Sequence, residues 1–125
     1  CIDLAVLITL KEGIAVMPEK IISLQKANEQ KNNGKYCSDV ILEKFYQWGI
    51  ETIFFVPGAQ VDFFLSRAAQ DSRFNLVMAA HELGAGYMAD GFSRISGRPS
   101  AAVGINGPGA LNFATAAATA KVGRC

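Results

Sequence analysis

Three short apolar runs, each closed by a chain-breaking or polar pair and followed by an amphipathic stretch, constrain most strongly what this chain can fold into. Residues 52–56 (TIFFV) end at Pro57-Gly58, residues 75–80 (NLVMAA) at His81-Glu82, and residues 100–105 (SAAVGI) at Asn106-Gly107-Pro108-Gly109. From 60 to 70, Val61, Phe64, Leu65 and Ala68 fall at i, i+3, i+4 and i+7, which is one helical face. Ala85, Met88, Ala89 and Phe92 repeat that spacing, with Gly97-Arg98-Pro99 as the stop, and an Ala-rich helix is predicted over 110–121. A further helix is predicted ahead of the first run. Ser38 or Asp39 caps it, Ile41, Phe45 and Trp48 form its stripe, and Gly49 ends it.

Apolar strands alternating with helices mean parallel β with both faces covered. The predicted fold class is therefore α/β, an open parallel sheet with helices on both faces and three βα units. Parallel strands finish on one edge, and the breaks recur about every 25 residues, one βα repeat each time. Ligands of open α/β sheets bind at that edge. Topology alone thus makes Pro57-Gly58, His81-Glu82 and the NGPG loop neighbours.

Composition narrows the function classes. Twelve Lys+Arg against eleven Asp+Glu leave a formal charge of +1, too balanced for nucleic-acid binding by bulk charge. Half the residues are apolar, which excludes disorder. The longest apolar stretches, 4–10 and 114–120, fall short of the roughly 20 residues a membrane span needs, and Lys11 follows the first of them instead of preceding it as in a secretory signal. Cys1, Cys37 and Cys125 form no CxxC or Cys/His cluster, so neither a disulfide framework nor a metal site is indicated. The expectation is a cytoplasmic protein with no nucleic-acid and no membrane partner. Residues 25–35 (QKANEQKNNGK) read as a linker, which divides the chain into an extraneous or linker segment, 1–35, and a domain, 36–125. The first Met is Met17, and the chain is expected to be a fragment whose first sixteen residues are not native; a docked strand over 4–10 is the alternative.

The loops at the edge carry the candidate chemistry. The NGPG loop brings bare backbone to a helix start, which suits a flat ring or an anion, or else makes a plain strand-to-helix turn. As a dinucleotide fingerprint it fails, because Asn112 stands where the third Gly of GxGxxG belongs. Glu82 is either a charge favoured by the helix dipole or a desolvated carboxyl able to exchange a proton. His81, the one histidine, has no Ser, Cys or Asp spaced as a triad and reads as a hydrogen-bonding or packing residue before a base. In the last helix Asn112, Thr115 and Thr119 make one polar stripe. Its other sides are apolar, which predicts burial by further chain or another subunit.

At these motifs a family resemblance becomes specific. GIETIFFVPG (49–58), HELGAGYMADGFSRISGRP (81–99) and NGPGALN (106–112) agree in order and spacing with the N-terminal, pyrimidine-binding domain of thiamine-diphosphate enzymes. The run most resembles the large catalytic subunit of acetolactate synthase and its relatives. That resemblance implies a 2-keto acid decarboxylase or carboligase, a lyase or transferase working as a homo-oligomer. Glu82 matches the family's catalytic Glu, which hydrogen-bonds N1′ of the aminopyrimidine and so promotes loss of the C2 proton; burial beside the ring is expected to raise its pKa. Pro57, Gly58 and Ala59 match the loop against the cofactor, and Pro108 and Asn112 match positions close to the pyrimidine. Mg²⁺ and the diphosphate are held in the family by a separate domain with a GDG…N motif, which this sequence lacks, so the chain alone is expected to be inactive. Ala59 in place of a second Gly, Leu83 in place of Gln and Asn106 in place of Ser depart from the acetolactate synthase pattern. Two other classes stay open. One is a stand-alone pyrimidine-domain subunit of a split enzyme; the other is a non-enzymatic flavodoxin-like module in which Glu82 is only a helix-end charge.

Overall fold

In the computed structural model, which describes residues 36–123, the three apolar runs become β1 (Thr52–Phe55), β2 (Asn75–Met78) and β3 (Ala101–Val103). The helices are α1 (Cys37–Gln47), α2 (Asp62–Gln70), α3 (Glu82–Ser96), α4 (Pro108–Asn112) and α5 (Ala114–Val122). The segment 1–35, with the 25–35 linker and the alternative of a docked strand over 4–10, lies outside the described residues. Both strand pairs are parallel and the sheet order is β2-β1-β3, so the α/β prediction holds.

Side-chain alternation sorts the core into two halves. Ile53 and Phe55 of β1 share a face with Ala101 and Val103 of β3, and Leu42 and Phe45 of α1 and Leu65 and Ala68 of α2 cover it. Phe54, Val77 and Ala102 point the other way, onto Ala85 and Ala89 of α3 and Phe113. The chain steps from β1 to β2 on one side and then back past β1 to β3. Right-handed crossovers put α2 and α3 on opposite faces when the direction reverses in this way. The reversal opens a crevice at the carboxyl ends of β1 and β3, where open sheets take ligands.

Several local expectations are corrected. Tyr36, not Ser38 or Asp39, stands at the cap of α1, and the Tyr36 N–H donates to the Asp39 carboxylate at 3.1 Å. Trp48 is 62% exposed, because the helix ends before it and Leu42 takes the core position; Gly49 does supply the stop, with φ +76°. β2 is an edge strand, with Asn75 and Met78 exposed and only Val77 fully buried, so its two faces are not evenly covered. The last helix is two. It begins at Pro108, and α4 meets α5 at the turn residue Phe113, whose ring is completely buried. Within α5 only Ala116 is buried, while Leu111 and Val122 stay exposed, so the expected cover on several sides is not supplied by the described residues.

α3 and α5 touch closely through small residues. A Cβ on Gly86 would stand 2.6 Å from Cβ of Ala116 and 3.3 Å from the Phe113 ring. Gly86→Val is therefore expected to destabilise the chain by about 1–3 kcal/mol, read as a lowered urea midpoint. An unchanged midpoint would mean that the two helices separate without cost.

Candidate functional site

Backbone bonds beyond the strands tie the loops to one edge. Val56 N–H donates to the Val103 carbonyl at 3.0 Å, and Ala79 N–H to the Phe55 carbonyl at 2.8 Å. Past β1, the Gly58 N–H donates to the Asp62 carboxylate at 2.9 Å, which fixes the Pro57-Gly58 turn at the start of α2. That turn abuts the loop after β3. A Cβ on Gly58 would lie 2.3 Å from Cγ2 of Ile105, and the Asn106 N–H donates to the Gln60 side chain at 3.2 Å. Gly107 has φ +65°, a conformation that glycine takes without strain, and it delivers Pro108 to the first position of α4.

Glu82 opens α3 at the centre of this edge. His81 caps the helix in extended conformation, with Nδ1 accepting the Leu83 N–H at 3.1 Å, so its neutral form carries the proton on Nε2. This bears out the hydrogen-bonding reading of His81. Glu82 itself is 9% exposed. The Asn112 side-chain amide donates to Oε2 at 3.0 Å, and His81 Nε2 stands 4.0 Å from the same oxygen. Two glycines line the carboxylate. A Cβ on Gly104 would fall 3.1 Å from Cγ of Glu82, and one on Gly109 would fall 3.1 Å from Oε1.

The raised pKa expected from the resemblance belongs to a carboxyl buried beside the cofactor's ring; in the chain by itself the direction is the opposite. The hydrogen bond from Asn112 is the largest influence and holds the Glu82 carboxyl below the ordinary range. A bond from its own backbone N–H adds to this, burial opposes it, and the nearby His81 lowers it slightly further. Donors to the ionised form outweigh desolvation here. Glu82 is therefore a carboxylate acceptor at neutral pH, positioned before anything binds.

Of the residues singled out from the sequence, Glu82 and Asn112 are brought into direct contact. Gly58 is half-buried against the loop after β3, while Pro57, Ala59 and Pro108 are exposed along the rim. Gly104 and Phe113 were not singled out, and Gly109 only as part of the NGPG loop. Their part depends on close approach of backbone and ring across the fold, and the NGPG motif was the only hint. A hollow of about 570 Å³ lies elsewhere, between α1 and α2, where Arg67 pairs with Asp39 and Arg73 with Glu43 and Asp71, while Lys44 donates to the Gln47 side chain. Among the described residues no group of three His, Cys, Asp or Glu side chains could hold a metal ion, and no helix is long and apolar enough to cross a membrane.

A hydrogen-bonded, nearly buried carboxylate thus stands at the switch point of a parallel sheet, the edge at which open α/β domains take ligands. The sequence profile of the family described as "Thiamine pyrophosphate enzyme, N-terminal TPP binding domain" matches residues 36–125, and the chain belongs to that family. It is 44% identical over 84 residues to a Mycobacterium tuberculosis protein carried as a candidate acetolactate synthase large subunit, covering 67% of this chain and 15% of that protein. It is also 44% identical over 69 residues to a Pseudomonas aeruginosa protein named a probable 2-ketoarginine decarboxylase, covering 55% of this chain and 12% of that one. With an acetolactate synthase of Bacillus subtilis the identity is 33% over 91 residues, 73% of this chain and 15% of the enzyme. The chain thus spans only a small part of the length of each of these relatives. No solved structure gives a significant match.

Proposed function

We propose that this chain supplies the pyrimidine-binding half of a thiamine-diphosphate site in a 2-keto acid decarboxylase or carboligase of acetolactate synthase type, and that Glu82 is its catalytic residue. The observation that carries this reading is the Glu82 carboxylate held by Asn112 at the switch point, with glycine backbone on two sides and exposed proline rims beside it. Bare backbone at Gly104 and Gly109 and the flat edges of Pro57 and Pro108 suit an aromatic ring. A carboxylate that is charged beforehand suits a ring nitrogen that must be protonated. These residues fit the aminopyrimidine end of the cofactor. Pro57, Gly58, Ala59, Pro108 and Asn112 would line it, and Glu82 would hold a proton at N1′.

When bound, the cofactor supplies the carbanion chemistry at C2 that opens a 2-keto acid to loss of CO₂. The protein's own part is position and proton transfer. Glu82, ionised beforehand, would accept the hydrogen bond of a protonated N1′ and take up and return that one proton, the two loops would hold the ring, and the packed edge keeps water from the buried side of the carboxylate. The diphosphate and Mg²⁺ would be held by a separate domain of a longer parent protein, and the site would be completed in a homo-oligomer. Residues 36–125 would form the pyrimidine-binding unit, with 1–35 outside it.

Ring contacts without diphosphate–Mg²⁺ contacts give weak binding, since charge-assisted bonds are the stronger ones. Titrating the chain with thiamine diphosphate and Mg²⁺ under amide NMR is therefore expected to shift the signals of Glu82, Leu83, Gly104 and Asn112. The dissociation constant should be well above about 1 μM. Signals at this edge that stay unmoved at millimolar cofactor would overturn the reading.

A further inference from the structure

We propose that Asn112 is a positioning residue for Glu82: its amide pins one carboxylate oxygen and thereby fixes how the other is presented at the edge of β1 and β3. The inference deepens the reading of Glu82 as the proton-exchanging group and rests on it. Glu82 occupies the first position of α3, where a glutamate has three rotatable side-chain bonds and an open path to water. Its side chain nevertheless lies inward, with Cγ over Gly104 and Oε1 against Gly109. The donor that meets it there is the Asn112 amide, 3.0 Å from Oε2.

Asn112 has that reach because of its neighbour. It is the last residue of α4, and Phe113, directly after it, is sunk into the core beside Gly86 and Gly104. The Leu111 N–H donates to the Gly107 carbonyl at 3.1 Å and the Phe113 N–H to the Gly109 carbonyl at 3.3 Å, so the short helix is closed on itself at both ends. The Asn112 amide is thus anchored from the core side, and it holds a carboxylate that belongs to a different helix.

Few other charges act on this carboxylate. β1, β3 and α4 carry no charged side chain, and α5 has only Lys121, in its last turn. α3 adds Asp90 and Arg94, which pair with each other at 2.8 Å, and the exposed His81 lies 4.0 Å away. The Asn112 contact is therefore the dominant local influence on whether Glu82 holds a proton, in agreement with the depressed carboxyl noted above.

The test is the titration of the Glu82 side-chain carboxyl by carbon-13 NMR in the cofactor-free chain, for the wild type, Asn112→Ala and Asn112→Asp. Asn112→Ala is expected to move the Glu82 midpoint upward. Asn112→Asp keeps the shape but replaces the donor by a second carboxylate, and is expected to move it further in the same direction. It also serves if the alanine variant unfolds. The acid limb of turnover in the parent protein should shift with it, a readout that a purely structural role for Asn112 would leave in place. A Glu82 midpoint unchanged in the folded variants overturns the inference, whatever Glu82 does with the cofactor. A midpoint that moves while turnover is indifferent to Glu82 overturns instead the reading on which it rests.

Discussion

Replacing Glu82 by Gln in the parent protein is expected to lower turnover of a 2-keto acid by about 10²- to 10⁴-fold, the range for losing a positioned acid–base group, while thiamine diphosphate still binds. Gln has the same length, and its carbonyl oxygen can still accept the Asn112 amide, so the edge keeps its shape. What disappears is the capacity to take and return a proton. His81 is no ready base in its place, because with Nδ1 accepting the Leu83 N–H the neutral ring carries a proton, and no lone pair, on the Nε2 that faces residue 82. Measuring kcat beside the cofactor dissociation constant separates the two effects. Weaker cofactor binding with an unchanged kcat at saturation would assign Glu82 to binding alone.

The largest effect on stability is expected at Phe113. Its ring is fully buried with Phe54, Val77, Ala85, Ala89 and Ala102, and glycines at 86 and 104 make room for it. Phe113→Ala should cost about 3–5 kcal/mol, through lost apolar contact and the cavity left behind. Urea unfolding reads this directly, and a loss below about 1 kcal/mol would show that the neighbouring helices collapse into the space. A milder Phe113→Leu should keep the fold but loosen the Asn112 contact, since the two residues are adjacent. Core packing and the candidate site meet at this one ring.

The architecture was legible because two periods were written plainly into the chain. Continuous apolar runs such as TIFFV, separated by stripes such as Val61, Leu65 and Ala68, specify strand and helix without tertiary information, and their regular spacing implies a common edge. The errors fall where periodicity leaves a choice open. Trp48 satisfied the stripe of α1, but the helix had already ended, and Leu42 was equally well placed to enter the core. The run 110–121 has no internal breaker, so nothing local marks the turn at Phe113; burial of its ring against α3 and β3 sets that turn.

At the site, Glu82 and Asn112 could be named from their motifs, but not the bond between them, which joins residues thirty positions apart. The lowered Glu82 carboxyl of the chain by itself was not legible for the same reason. Burial can be inferred from a flanking apolar strand, whereas a donor arriving from α4 cannot. Gly104 and Gly109 matter through the Cβ atoms they lack, and only the folded chain shows what those atoms would strike.

The most direct measurement is hydrogen–deuterium exchange at C2 of thiamine diphosphate bound to the parent protein, followed by proton NMR in the wild type and Glu82→Gln. It reports proton loss from the cofactor before any substrate enters. Exchange in the variant is predicted to fall by about 10²-fold or more at full cofactor occupancy. An exchange rate equal to that of the wild type would contradict the assignment of Glu82 as the residue through which this domain acts.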